Sequence, residues 1–112
     1  MAYFHKNLTQ EKWNSLAKDK QILNIVSELL RARNSLAGNY QDDVLHSLNR
    51  ALELIDLTVN DRNKWQKGSL KELLRLREYL GSFYQENQSI DNITKLIKSF
   101  LLFHPQSASV KI

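Results

Sequence analysis

Four charged residues stand where a site between two helices would need them. Glu28 and Arg31 lie three residues apart, and Arg50 and Glu53 lie three apart in the following segment. That spacing puts each pair on one face of a helix. Asn24 and Ser35 extend the first polar stripe, and Asn49, Asp56 and Asn60 extend the second. A third segment carries Arg75, Arg77 and Glu78 among its leucines. Gathered between helices, Glu28, Arg31, Arg50 and Glu53 would form a charged cluster able to bind a small ligand or do acid–base work. Spread over solvated faces, the same residues are surface salt bridges worth under ~1 kcal/mol each. The second arrangement is the commoner one, so the four are ligand-binding candidates and no residue is assigned a catalytic role.

A second constellation is basic. Arg62, Lys64, Trp65, Lys67 and Lys71 place four cations around one aromatic ring. A positive patch with a ring on which bases can stack is the minimal footprint of nucleic-acid binding. The competing reading is a solubilising loop whose Trp65 tucks onto the rest of the domain.

Other chemistries find little support. Helical carboxylate metal centres use Glu-x-x-His on facing helices, a pattern absent from this chain. His5, His46 and His104 are far apart, and none has a second ligand three or four residues on. There is no cysteine to act as nucleophile or thiolate ligand, and no Gly-rich phosphate loop. The expectation is a chain with no metal, no cofactor and no enzymatic activity.

The segments that would position these residues are helical. Thr9 can cap a short helix over 10–17, with Trp13 and Leu16 on one face. Asp19 can cap a second over 20–37, whose stripe is Ile22, Ile25, Val26, Leu29, Ala32 and Leu36. Gly38 is expected to end it in the left-handed conformation. A third helix over 40–59 has Asp42 and Asp43 in its first turn, suited to the helix dipole. Val44, Leu48, Ala51, Ile55 and Val59 form its stripe. The sequence Ser69-Leu70-Lys71-Glu72 reads as a capping box opening a fourth helix over 70–84. Leu73, Leu76, Leu80 and Phe83 are its buried face. A fifth helix over 90–103 ends before His104-Pro105, since proline disfavours helical geometry at the residue preceding it.

Length and composition bound this reading. A chain of 112 residues is one domain by size. Its 42% hydrophobic and 25% charged residues are those of a globular protein. Three glycines, one proline and a Leu-rich apolar set favour helix. The expected fold is all-α: an antiparallel four-helix-bundle-like domain over 1–105 with an additional short N-terminal helix, and a flexible tail over 106–112. The lack of cysteine, of a signal-like apolar run after Met1 and of a membrane-length apolar stretch points to a cytoplasmic protein with no membrane partner.

Net charge is +4, unevenly spread. Residues 1–40 hold six basic against three acidic residues, 41–59 one against four, and 60–84 six against three. An acidic third helix between basic neighbours can be neutralised inside the fold. The wide apolar faces of the second and third helices leave more surface than a small bundle hides, so a homodimer is expected. A protein partner or nucleic acid are the other partners considered.

Several residues carry a resemblance. Asn7-Leu8-Thr9, Trp13, Gln21 to Asn24, Ser27-Glu28, Arg31-Ala32, Arg50 to Thr58, Asp61, Lys71-Glu72 and Arg75 to Glu78 resemble a family of small, uncharacterised prokaryotic all-helical proteins, over roughly residues 4–84. The resemblance implies a prokaryotic, cytoplasmic helical protein and no particular activity. The helix pair around Asn39-Tyr40 also resembles a single tetratricopeptide-like hairpin, without the Trp and Leu-Gly of that repeat's first helix. A looser similarity is to toxin-associated helical bundles. The RNA-cleaving ones place His shortly after Arg, a spacing this chain lacks. The combined expectation is a non-enzymatic, homodimerising protein-interaction module. The alternatives are nucleic-acid binding through 62–71 and small-ligand binding in the charged cluster.

Overall fold

In the computed structural model, residues 8–61, 64–65, 67–85 and 88–103 are described. The proposed tail over 106–112 and the candidate Arg62 lie outside them. Five helices occur among the described residues and no strand: α1 (Gln10–Asn14), α2 (Lys18–Ala37), α3 (Gln41–Val59), α4 (Lys67–Ser82) and α5 (Ile90–Leu101).

The first helix is shorter than expected. Thr9 caps it as its spacing predicts, its hydroxyl accepting from the Lys12 amide at 3.1 Å. Ser15 then closes the last turn with its own amide and hydroxyl, and Ala17 is extended, so the chain turns directly into α2. Asp19 lies inside the first turn of α2, where it suits the dipole, and is not the cap.

The α2–α3 turn divides between two residues the work expected of one. Asn39 takes the left-handed conformation, with φ 62°, while Gly38 has φ −91°. Asn tolerates that region through local hydrogen bonding. At Gly38 a Cβ would meet the exposed Tyr40 ring at 2.6 Å, so a side chain there would have to push that ring aside. The Tyr40 amide reaches back to the Ser35 carbonyl at 2.9 Å and ties the turn to the end of α2.

The fourth helix begins earlier than its capping-box sequence implies. Lys67 is already helical, so Ser69 stands within the first turn instead of capping it. Glu72 pairs forward with Arg75. The last helix starts where Ser89 accepts from the Asn92 amide at 3.0 Å.

Packing follows the apolar stripes. Ile22, Ile25, Val26, Leu29 and Ala32 of α2 are buried with Val44, Leu48, Ala51 and Ile55 of α3, Leu73, Leu76 and Leu80 of α4, and Ile93, Leu96, Ile97 and Phe100 of α5. The second helix packs on α3 and α5, the fourth on α3 and α5, and α1 lies against α3. Two side-chain contacts fix the direction of α4. Asn49 meets Tyr84 just past the end of α4, and Asp56 meets Arg77. Seven residues forward along α3 match seven backward along the partner segment, so the two run antiparallel.

Candidate functional site

Three of the four ligand-binding candidates come together. Glu28 of α2 is buried, with 7% of its side chain exposed. One carboxylate oxygen accepts from Arg31 Nη1 at 2.7 Å, the other from Arg50 Nε of α3 at 2.8 Å. Arg50 Nη2 also donates to Ser47 Oγ at 3.2 Å. A buried carboxylate is tolerated only when paired and hydrogen-bonded, and this one has a guanidinium on each oxygen. Glu53 sits one turn further along α3, away from the hairpin, and does not line the same space.

Above the trio is an open depression of about 550 Å³. Its walls are Arg31, Asn34 and Ser35 of α2 and Asp43, His46, Ser47 and Arg50 of α3. Hydrogen-bond donors dominate, but Glu28 below and Asp43 at the wall balance the two arginines. His46 supplies the one imidazole of the seven, a ring that can donate or accept. The arrangement suits recognition of a polar or singly anionic group.

The basic segment is not one surface patch. Trp65 is buried at 6% exposure. Its indole Nε1 donates to Gln21 Oε1 at 3.0 Å, its ring meets Phe103 edge-on at 5.2 Å, and Lys18 Nζ lies 5.4 Å from its centroid. Lys64 is equally engaged. Its ammonium pairs with Asp61 at 2.9 Å and donates to the carbonyls of Asn14 and Leu16. The ammonium is thus held by two carbonyls and a carboxylate. Lys67 and Lys71 are exposed on α4.

These contacts belong to a buried polar knot that sequence reasoning missed. Gln21 is fully buried. Its Nε2 donates to the Trp13 carbonyl at 2.9 Å and to Asp61 Oδ2 at 3.0 Å, while its Oε1 accepts from Trp65. Beside it, Trp13 Nε1 donates to Thr58 Oγ1 at 3.1 Å, and that hydroxyl donates to the Leu54 carbonyl at 2.8 Å. The knot joins α1, the start of α2, the end of α3 and the link to α4. The available signal was phase: Gln21 precedes Ile25 by four residues, and Thr58 follows Leu54 by four, so both fall on apolar stripes.

Arg77 bonds Asp56 on α3, which raises the guanidinium pKa further above its usual value. On the exposed side of α4, the hydrogen bond and charge of Arg75 hold Glu72 below the ordinary carboxylate range. Burial pushes the Tyr84 phenol above its usual value.

Among the described residues no group of His, Cys, Asp and Glu could hold a metal ion, and no helix is long and apolar enough to cross a membrane. Comparison with protein-family models, curated proteins and solved structures finds no match.

Proposed function

We propose that the chain is an antiparallel four-helix bundle, α2 to α5, with α1 across one end, and that it works as a non-enzymatic interaction module pairing with a second copy of itself. The order of packing supports the bundle: α2 meets α3, α3 meets α4, α4 meets α5, and α5 returns to α2. The reading as an interaction module rests on one observation. Leu74, midway along α4, is 44% exposed on the side turned away from the core. Meanwhile the polar clusters most able to do chemistry, around Glu28 and around Gln21, are bonded internally. Sedimentation equilibrium over a wide range of protein concentration tests the reading. Mass rising from monomer toward dimer is expected, and a monomer throughout would refute it.

A second reading is binding of a small polar or anionic ligand, favoured by the depression over Glu28, Arg31 and Arg50. Its test is an NMR titration with inorganic phosphate and with acetate, with Arg50→Ala as control. A nucleic-acid reading would have to rest on Arg62, Lys67 and Lys71 without an aromatic platform, because Trp65 is buried.

A further inference from the structure

Four positions on the outward face of α4 are symmetric about one point, as two glycines and two opposite charges. Take the midpoint between Leu74 and Arg75. Lys71 and Glu78 stand equally far on either side, and Gly68 and Gly81 stand equally far beyond them. At about 100° per residue these six positions span an arc of roughly 140° on one side of the helix. All six are exposed.

Three observations bear on this face. First, neighbouring charges are already satisfied: Glu72 with Arg75, and Arg77 with Asp56. Lys71 and Glu78 make no ion pair or hydrogen bond to any described residue. They are also seven residues apart, too far along one helix to pair with each other. Second, Leu74 lies between them with 44% of its surface uncovered. Third, nothing lies within 4 Å of a Cβ built at Gly68 or Gly81, and neither has positive φ. The fold of one chain therefore does not require glycine there, although glycine inside a helix costs up to about 1 kcal/mol relative to alanine.

A second copy of α4 laid antiparallel answers all three. We infer that the chain self-associates through α4 about a two-fold axis between Leu74 and Arg75, with Lys71 of each copy facing Glu78 of the other. The symmetry is isologous, so one match of unlike charges occurs twice. Leu74 packs beside the aliphatic stem of Arg75 of the other copy. Gly68 faces Gly81 at both ends, where missing side chains let the two backbones approach. A helix of this length spans about 24 Å, so one helix pair buries less than a standard interface, and the dimer is weak and lost on dilution. Its ion pairs are exposed, so added salt loosens it. The acidic Glu78 on the face disfavours an anionic polymer as occupant. This inference rests on the self-association proposed above and specifies its surface and register.

Charge reversal tests it on the full chain. Lys71→Glu and Glu78→Lys each place like charges opposite one another twice, and each is expected to raise the dimer dissociation constant roughly tenfold or more. Both sites are exposed, so circular dichroism should show each variant folded. In the first variant positions 71 and 78 are both acidic, and in the second both are basic. An equimolar mixture of the two therefore sets unlike charges opposite one another again, twice, and association should return as a heterodimer. The double variant K71E/E78K should also dimerise. A wild-type chain that stays monomeric overturns both the register and the self-association reading. A wild-type dimer that neither single variant weakens, or that the mixture does not restore, overturns the α4 register alone and leaves dimerisation through another face.

Discussion

Gln21 and Asp61 are forty residues apart in sequence and meet at 3.0 Å in the interior, where Gln21 also bonds Trp13 and Trp65. A single amide therefore holds two helix ends and a link in register. Removing it without replacing its bonds strands the Trp65 indole N–H and takes one bond each from the Trp13 carbonyl, which keeps the Leu16 amide, and from Asp61, which keeps Lys64. Each buried polar group left unpaired costs about 1–3 kcal/mol. Gln21→Leu, close in size but unable to bond, is expected to lower stability by about 2–4 kcal/mol in urea denaturation. Both tryptophans of the chain touch the knot, so their fluorescence reports it directly. A loss below about 0.5 kcal/mol, the low end for a single hydrogen bond, would mean that water or a rearranged Asp61 replaces the amide.

The Glu28 trio makes a graded prediction. Arg31 is 63% exposed and Arg50 30% exposed, while Glu28 is buried. Loss of Arg31 leaves Glu28 paired, and its own share is that of a surface salt bridge, under about 1 kcal/mol. Loss of Arg50 removes the interhelical partner and leaves the buried carboxylate with only Arg31, which is mostly in solvent. Breaking a fully buried pair costs about 3–5 kcal/mol, which the partial exposure of Arg50 reduces to about 2–3. Arg50→Met should therefore destabilise clearly more than Arg31→Met in chemical denaturation. Equal effects would show that Glu28 reaches water when either arginine is missing.

What the sequence made legible, and what it hid, follows from how far each signal reaches. The stripe Ile22, Ile25, Val26, Leu29, Ala32, Leu36 is periodic over several turns; its first five residues are buried and Leu36, near the end of α2, is partly buried. Glu28 with Arg31 is local as well. Arg50 could be nominated because the short turn at Gly38 and Asn39 folds α3 back along α2. Glu53 shares its stripe, but one more turn carries it away from the hairpin end where the depression lies. Trp65 could not be placed from its neighbours: flanking lysines look the same in a solvated loop and in a buried knot. Its partner Gln21 is forty-four residues away. The start of α4 was obscured because Ser69 and Glu72 spell a capping box, although the helix extends back through Lys67.

Tyr84 gives the chain a dependence on alkaline pH. Burial raises its phenol above the ordinary value of 10.0, and its hydroxyl donates to Asn49 Oδ1. The folded state thus holds the proton more tightly than the unfolded one. That stabilisation is fully present below about pH 10 and is lost as pH rises through the folded-state value. Tyr84→Phe removes this dependence and leaves the other three tyrosines unchanged. The stability difference between wild type and Tyr84→Phe, measured by denaturation at about pH 8 and about pH 11, should shrink at the higher pH. A difference that is constant or grows would contradict the assignment.

Gly81→Ala should move two quantities in opposite directions. Within one chain the substitution adds a methyl group to open space at a helical position. Alanine is favoured over glycine by about 1 kcal/mol in a helix interior, and by less at Gly81 in the last turn of α4, which corresponds to a melting temperature up to roughly 4 °C higher for a domain of this size. That gain should appear in dilute solution, where the chain is monomeric. In the pair of α4 helices the same methyl group meets the backbone near Gly68 of the other copy, so the dissociation constant should rise. Gly68→Ala, in the first turn, should weaken association in the same way, with a similarly modest gain in monomer stability. Thermal melts at low concentration and sedimentation at high concentration separate the two effects. A variant that is more stable and associates as well as wild type would show that Gly81 does not lie at the contact.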